Sequence, residues 1–195
     1  IRNDTFFRSI PHVLASRPDV VFVGVGMLGN PVAEGWTDKL RVRGAVRLLP
    51  AVSRDEMAGF FQMADVTVSP SEHDGTPNTL LEGMACGAFP VSGDIESVRE
   101  WVQHGVNGLL FDASDPEALA RAILHELGHQ GGGRSRDCAP RSLKAGVLDH
   151  AVLDLQVERQ PIPAERVVAF GVPVSAFNRA EVARPAVMVE DDLLI

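Results

Sequence analysis

The chain has 195 residues, with 18 Lys+Arg against 26 Asp+Glu for a net charge of -8, and it is 45% hydrophobic. That size fits one domain, or one domain with an appendage, and it is enough to bury a real core. The acidic balance excludes broad nucleic-acid binding, which needs a basic surface, but leaves room for one anionic small molecule at a local site. No apolar run reaches the roughly 18 residues that a membrane span needs, and no basic-then-apolar signal segment opens the chain. Two cysteines, Cys86 and Cys138, make no disulfide framework. That suits a reducing compartment, so the expected location is the cytoplasm.

Elements alternate from the start. Phe6, Phe7, Ile10, Val13 and Leu14 recur at helical spacing before Pro18. Val20 to Val25 reads as a buried strand closed by Gly26, rich in β-branched residues. A weaker helix is expected from Val32 to Leu40, then a short strand from Val46 to Leu49 stopped by Pro50. Ser53-Arg54-Asp55-Glu56 is a capping-box pattern, and Met57, Phe60, Phe61 and Ala64 continue that helix. Val66-Thr67-Val68 is a strand ending at Ser69-Pro70. A helix follows from Thr79 to Cys86, then a strand at Phe89-Pro90-Val91, a helix from Ile95 to Val102, and a strand from Gly108 to Phe111. Asp115-Pro116-Glu117 opens a helix carrying Leu119, Ala120, Ile123, Leu124 and Leu127. Strands alternating with helices through short loops predict an α/β fold, a Rossmann-like doubly wound parallel sheet. Ligands on such sheets sit beyond the carboxyl ends of the strands.

Residues 129–195 read differently. Gly131-Gly132-Gly133 makes a flexible break, and scattered prolines interrupt poorly periodic apolar residues. The expected division is therefore 1–128 as the folded domain and 129–195 as an unassigned tail, irregular or disordered, which the sequence does not place on the same sheet.

The chemistry concentrates between Ser69 and Gly87. Thr76 is the expected N-cap and Pro77 the first helical residue, which frees the amides of Asn78 and Thr79. Free amides at a helix start attract an anion, so an acidic chain can hold a diphosphate without a basic surface. Leu80, Leu81, Met84 and Ala85 form the buried stripe, while Asn78 and Glu82 share another face. A carboxylate there can accept hydrogen bonds from a vicinal diol, as an acidic residue does for ribose in dinucleotide folds.

This segment resembles the donor-binding motif of retaining nucleotide-sugar glycosyltransferases, family 4 (glycosyl transferases group 1). Asp74 and Glu82 stand at the motif's two acidic positions, followed by Met84-Ala85-Cys86-Gly87 and Pro90-Val91. Leu48-Leu49-Pro50, Ala64-Asp65-Val66 and Gly105-Val106-Asn107-Gly108-Leu109-Leu110 also match, so the likeness spans about residues 1 to 127. It implies half of a GT-B fold, the C-terminal donor domain, binding a UDP- or GDP-sugar and transferring the sugar with retention to an unknown sugar, lipid or glycan acceptor. It implies no obligatory metal or other cofactor. Glu82 would bind the ribose and Asp74 would face the transferred sugar. His73, Gly75, Thr76, Pro77, Asn78 and Thr79 would line the diphosphate and sugar, with Leu49 and Pro50 near the base. Arg2 stands where the family has a basic diphosphate residue, and Asp74 replaces the commoner Glu. The acceptor domain would precede Ile1, which makes the chain a fragment expected to turn over little alone. That missing domain is also the expected route to the inner face of a membrane.

Plainer roles compete. Asp74 before Gly75 also fits an ordinary turn, Cys86 fits packing, and Asp94 fits a helix cap. His125-Glu126-Leu127-Gly128-His129 is the H-E-x-x-H zinc-peptidase pattern, two His on one helix face with a Glu to activate water. Gly128 and the glycine run weaken the helix that this needs. Ser135 occupies the place of a third His, and Glu158 has no supporting motif. A nucleotide-sugar epimerase and a noncatalytic nucleotide-sugar-binding module also fit a Rossmann-like domain with this acidic pair.

Overall fold

Strand β1 (Val20–Val25) shows in its side chains how the layers form. Val20 and Phe22 enter one apolar cluster, while Val23 and Val25 enter another on the opposite face. Side chains alternate across a strand, so a strand apolar throughout is covered on both faces. The computed structural model describes residues 3–75, 77–129 and 166–171. In chain order its elements are α1 (Asn3–Ser16), β1, α2 (Pro31–Lys39), β2 (Val46–Leu49), α3 (Arg54–Met63), β3 (Val66–Ser69), α4 (Asn78–Ala85), β4 (Phe89–Gly93), α5 (Glu96–Arg99), β5 (Leu109–Phe111), α6 (Pro116–His129) and β6 (Arg166–Gly171).

The six strands form one sheet in the order β2-β1-β6-β3-β4-β5, and every pair is parallel. The expected Rossmann-like architecture is present. Helices α1, α2 and α6 share the first cluster, and α3 covers the opposite face with Met57 and Phe61. Leu80, Leu81 and Met84 of α4 pack with Val98 and Val102 around α5. Gly83 lets α4 approach the sheet closely, because a Cβ there would stand 2.8 Å from Thr67 Cγ2.

Strand β6 comes from residues 129–195, which the sequence reading leaves unassigned. Residues 166–171 lie at the centre of the sheet, paired with β1 from Val20↔Arg166 to Val25↔Gly171 and with β3 from Val66↔Val168 to Val68↔Phe170. Phe170 stacks on Phe6 of α1, with ring centroids 4.4 Å apart. Asp65, in the Ala64-Asp65-Val66 motif, anchors the strand's start. Its buried carboxylate accepts from the Val167 amide at 2.8 Å and from Arg166 at 3.2 Å.

Other boundaries shift for identifiable reasons. Asn30 caps α2, its side chain accepting from the Val32 and Ala33 amides, so the helix begins at Pro31. The helix expected over Ile95 to Val102 is one turn, Glu96–Arg99. Asp94 does not cap it; its carboxylate pairs with Arg99 at 2.7 and 2.9 Å instead. A bidentate pair with a guanidinium outcompetes a single amide for those oxygens. The capping box at Ser53 and Glu56 is complete in both directions.

Candidate functional site

In a parallel sheet with strand order broken between β1 and β3, the loops after the strands enclose a crevice at the carboxyl edge. After β1, the amides of Met27 and Leu28 both donate to the Leu49 carbonyl, at 2.9 and 3.0 Å, and the Gly26 amide donates to the Pro50 carbonyl at 3.2 Å. That stitches the β1–α2 loop to the end of β2. Gly26 makes the turn at φ 77, where a side chain would be strained. Leu49 is half-buried against the α3 face of the sheet, while Pro50 is exposed.

The loop after β3 carries His73, Asp74 and Gly75, all exposed. Its root is fixed from below. Ser71 is fully buried, Ser92 Oγ donates to the Ser69 carbonyl at 3.0 Å, and a Cβ on Gly93 would fall 2.2 Å from the Ser71 carbonyl oxygen. Its tip is held from the side, where Ser97 Oγ donates to the Asp74 carbonyl at 2.8 Å. Between this loop and α5 lies a cleft of about 600 Å³. His73, Asp74, Gly75 and Ser97 line it with the carboxylates of Glu72, Glu96 and Glu100. Four carboxylates around one cleft repel an anion and offer acceptors to neutral hydroxyl groups.

Helix α4 follows. Its first residue is Asn78, with Pro77 as the N-cap and no side-chain cap hydrogen bond among the described residues. The expected order, Thr76 as cap and Pro77 as first helical residue, is thus shifted by one position, because Pro77 takes ψ 66, outside the helical range. The first turn of α4 still presents amides without intrahelical acceptors, the arrangement that attracts an anion. Asn78 is exposed and Thr79 partly so. Thr76 and Arg2 lie outside the described residues.

Glu82 sits on α4 with its side chain 33% exposed, and Arg54 Nη2 of α3 stands 3.7 Å from its Oε1. Burial pushes the Glu82 carboxyl above the ordinary carboxylate range, and the Arg54 charge pulls it partly back. One turn on, the Cys86 thiol is pushed up to about 11, by burial first and by Glu82 second. It is therefore a neutral packing group, as its place against the α3 side of the sheet also indicates. His73, Asp74 and Gly75 share one cleft, whereas Glu82 does not line it and is bound up with α3 instead. Sequence reasoning missed Arg54 and the bond from Ser97 to Asp74, since nothing local ties residue 54 to 82 or residue 97 to 74.

The H-E-x-x-H segment behaves differently from expectation in one respect. Helix α6 continues through Gly128 to His129, helped by Leu127, which is buried in the main core. His125 and His129 do share a face, their rings 4.2 Å apart. His129 Nδ1 lies 2.7 Å from the His125 carbonyl. Glu126 is partly buried on the same helix. Among the described residues, no group of three or more His, Cys, Asp or Glu could hold a metal ion. Ser135 and Glu158 lie outside the described residues. Among the described residues, no helix is long and apolar enough to cross a membrane.

Comparison with known proteins bears on the same stretch. The profile of a family described as glycosyl transferases group 1 matches residues 2–129. The D-inositol 3-phosphate glycosyltransferase of Thermobispora bispora is 31% identical over 135 residues, 64% of this chain and 31% of that protein. This chain thus spans about a third of the length of such relatives. Among solved structures, a glycosyltransferase from Rickettsia africae superposes with a TM-score of 0.60 at 16% identity, over 70% of this chain and 37% of that one. The Anabaena protein HepE, solved with UDP and glucose, superposes with a TM-score of 0.55 at 20% identity, over 68% of this chain and 37% of that one. These likenesses establish the Rossmann-like fold of glycosyltransferase structures for the described sheet.

Proposed function

The chain belongs to the glycosyl transferases group 1 family, and on that premise we propose that it is the donor-binding domain of a glycosyltransferase that moves a sugar from a nucleoside diphosphate to an acceptor with retention. The observation that carries this reading is the pairing of an α4 N-terminus that has no side-chain cap among the described residues with a half-buried Glu82 on the same helix. The domain in this reading is residues 1–128 together with β6 (Arg166–Gly171), which completes the centre of its sheet.

Each part has a chemical task. Amides of the first turn of α4, around Pro77, Asn78 and Thr79, receive the diphosphate, and they stabilise the charge that grows on it as the sugar leaves. Glu82 accepts hydrogen bonds from the two ribose hydroxyls, and Leu49 and Pro50 border the base. The acidic cleft at His73, Asp74 and Gly75 takes the transferred sugar, whose hydroxyls donate to carboxylates and whose ring carries no charge to be repelled. The catalytic contribution is mostly positioning: a donor held by ribose, diphosphate and sugar together presents its anomeric carbon in one orientation. The acceptor is bound outside this domain.

Isothermal titration calorimetry with UDP- and GDP-sugars tests the reading directly. One class should bind with one-to-one stoichiometry. Glu82→Ala should weaken it by about tenfold, the loss expected for a charged acceptor of two hydroxyls. Unchanged affinity in that variant would end the ribose role of Glu82.

A further inference from the structure

Arg54 is singled out by neither the motif nor the family likeness, yet the fold sets it against Glu82. The two residues come from different helices, and the contact runs from Nη2 to Oε1 at 3.7 Å. The pair is asymmetric. The guanidinium is 62% exposed and keeps its water, whereas the carboxylate is 33% exposed and has lost much of its own. Loss of water disfavours the charged form of a carboxyl group, and an adjacent cation restores it. Both effects act on Glu82, and Arg54 supplies the second. Arg54 is also held in place, being the first residue of α3 directly after the Ser53 cap, with the Glu56 carboxylate bonded back to the Ser53 amide at 2.8 Å. Its approach of 3.7 Å is ion-pair range rather than hydrogen-bond range. The remaining lone pairs of Glu82 stay available to other donors.

We propose that Arg54 is a positioning residue of the donor site, which holds Glu82 ionised and oriented so that its free lone pairs accept both hydroxyls of a nucleoside ribose. This rests on the reading of Glu82 as the ribose ligand. A protonated Glu82 would spend one oxygen as a donor and meet the diol with fewer acceptors. Among the described residues, the titratable and charged groups placed against Glu82 are Arg54 from α3 and Cys86 from α4. The Cys86 thiol is neutral below its pKa of about 11. Arg54 is thus the charged neighbour, among the described residues, that opposes the effect of burial on Glu82.

The experiment uses the full chain, with Arg54→Gln, Arg54→Lys and Glu82→Gln. Binding of UDP and of 2′-deoxy-UDP is measured from about pH 4, near the ordinary Glu pKa, up to about pH 8. The Glu82 carboxyl is followed in parallel by carbon-13 NMR without ligand. Arg54→Gln is expected to weaken UDP by roughly three- to tenfold, in keeping with a partly exposed ion pair. It should affect 2′-deoxy-UDP less, and it should move both the acid loss of binding and the NMR midpoint to higher pH. Arg54→Lys should restore most of the affinity. An NMR midpoint unmoved in Arg54→Gln overturns the proposal whether or not the nucleotide binds. Equal loss for both nucleotides also overturns it, since Arg54 would then act somewhere other than through the diol. If Glu82→Gln weakens UDP while Arg54→Gln does not, the role of Arg54 falls and the donor reading stands. If neither variant changes binding, the ribose role of Glu82 falls as well.

Discussion

Asp74 and Glu82 are the same kind of group with seven residues between them, but the molecule holds them in opposite ways. Glu82 rides on α4, half-buried, beside an arginine from another helix. Its position is set by helix packing, and burial raises the free energy of its charged form. Asp74 lies on an exposed loop, and what fixes it is backbone: Ser97 takes its carbonyl, and the Ser69–Ser71 root is wedged between β3 and β4. Its carboxylate stays in water among other carboxylates. Groups on packed helices are placed more tightly than groups on loops. In the proposed function, the helix-borne carboxylate meets the ribose, which every nucleoside donor shares. The loop-borne one meets the sugar, which differs from donor to donor.

The largest expected effect breaks the loop side. Gly93→Ala would place a Cβ 2.2 Å from the Ser71 carbonyl oxygen, and backbone has to move to relieve that contact. The expected loss is about 3 kcal/mol, measured by urea unfolding. A variant as stable as the parent would show that β4 does not wedge the loop root.

On the helix side the matching substitution is milder. Gly83→Ala puts its Cβ 2.8 Å from Thr67 Cγ2, a side-chain atom rather than backbone. Overpacking here costs about 2 kcal/mol, and the net loss is about 1 kcal/mol because Ala favours the helix over Gly by about 1 kcal/mol. Thr67→Ala in the same chain should cancel the overpacking, leaving a coupling energy in a double-mutant cycle. Additive effects would remove close α4–β3 packing as the support of Glu82.

The smallest effect is the sharpest test of the contrast. Because the folded-state pKa of Glu82 is raised, mainly by burial, the native state binds its proton more tightly than the unfolded chain does. The stability linked to that proton is present below the unfolded pKa and is lost as pH rises through the folded pKa. Glu82→Gln removes the titration and should stabilise the fold near neutral pH by less than about 1 kcal/mol after solvent screening, with the gain vanishing in acid. Asp74→Asn, on an exposed loop, should stay within about 0.5 kcal/mol of the parent. Thermal melts across pH compare the two. A stabilised Asp74→Asn beside an unchanged Glu82→Gln would reverse the assignment of which carboxylate is strained.

Much of this molecule is legible locally. The capping box at Ser53 and Glu56, the alternation of strands and helices, and the acidic pair in the Ser69–Gly87 segment all follow from residues close together in sequence. Short-range hydrogen bonds and side-chain periodicity dictate such features. The cap of α4 and the role of Asp94 escape the same local rules. There the Pro77 backbone leaves the helical range, and the Arg99 guanidinium takes the Asp94 carboxylate.

Three decisions belonged to the tertiary structure. Val167-Val168-Ala169-Phe170 is too short and too uniformly apolar to announce itself among the prolines that surround it. It becomes a strand because β1 and β3 offer it hydrogen bonds on both edges and Asp65 accepts from its Val167 amide. Ser97 meets Asp74, and Arg54 meets Glu82, only because α5 and α3 pack beside the loop and α4. The sequence by itself therefore determined the layered α/β fold and the residues that carry the proposed chemistry. Which neighbours tune those residues was decided by packing, since charge and burial act between groups that the chain brings together only when it is folded.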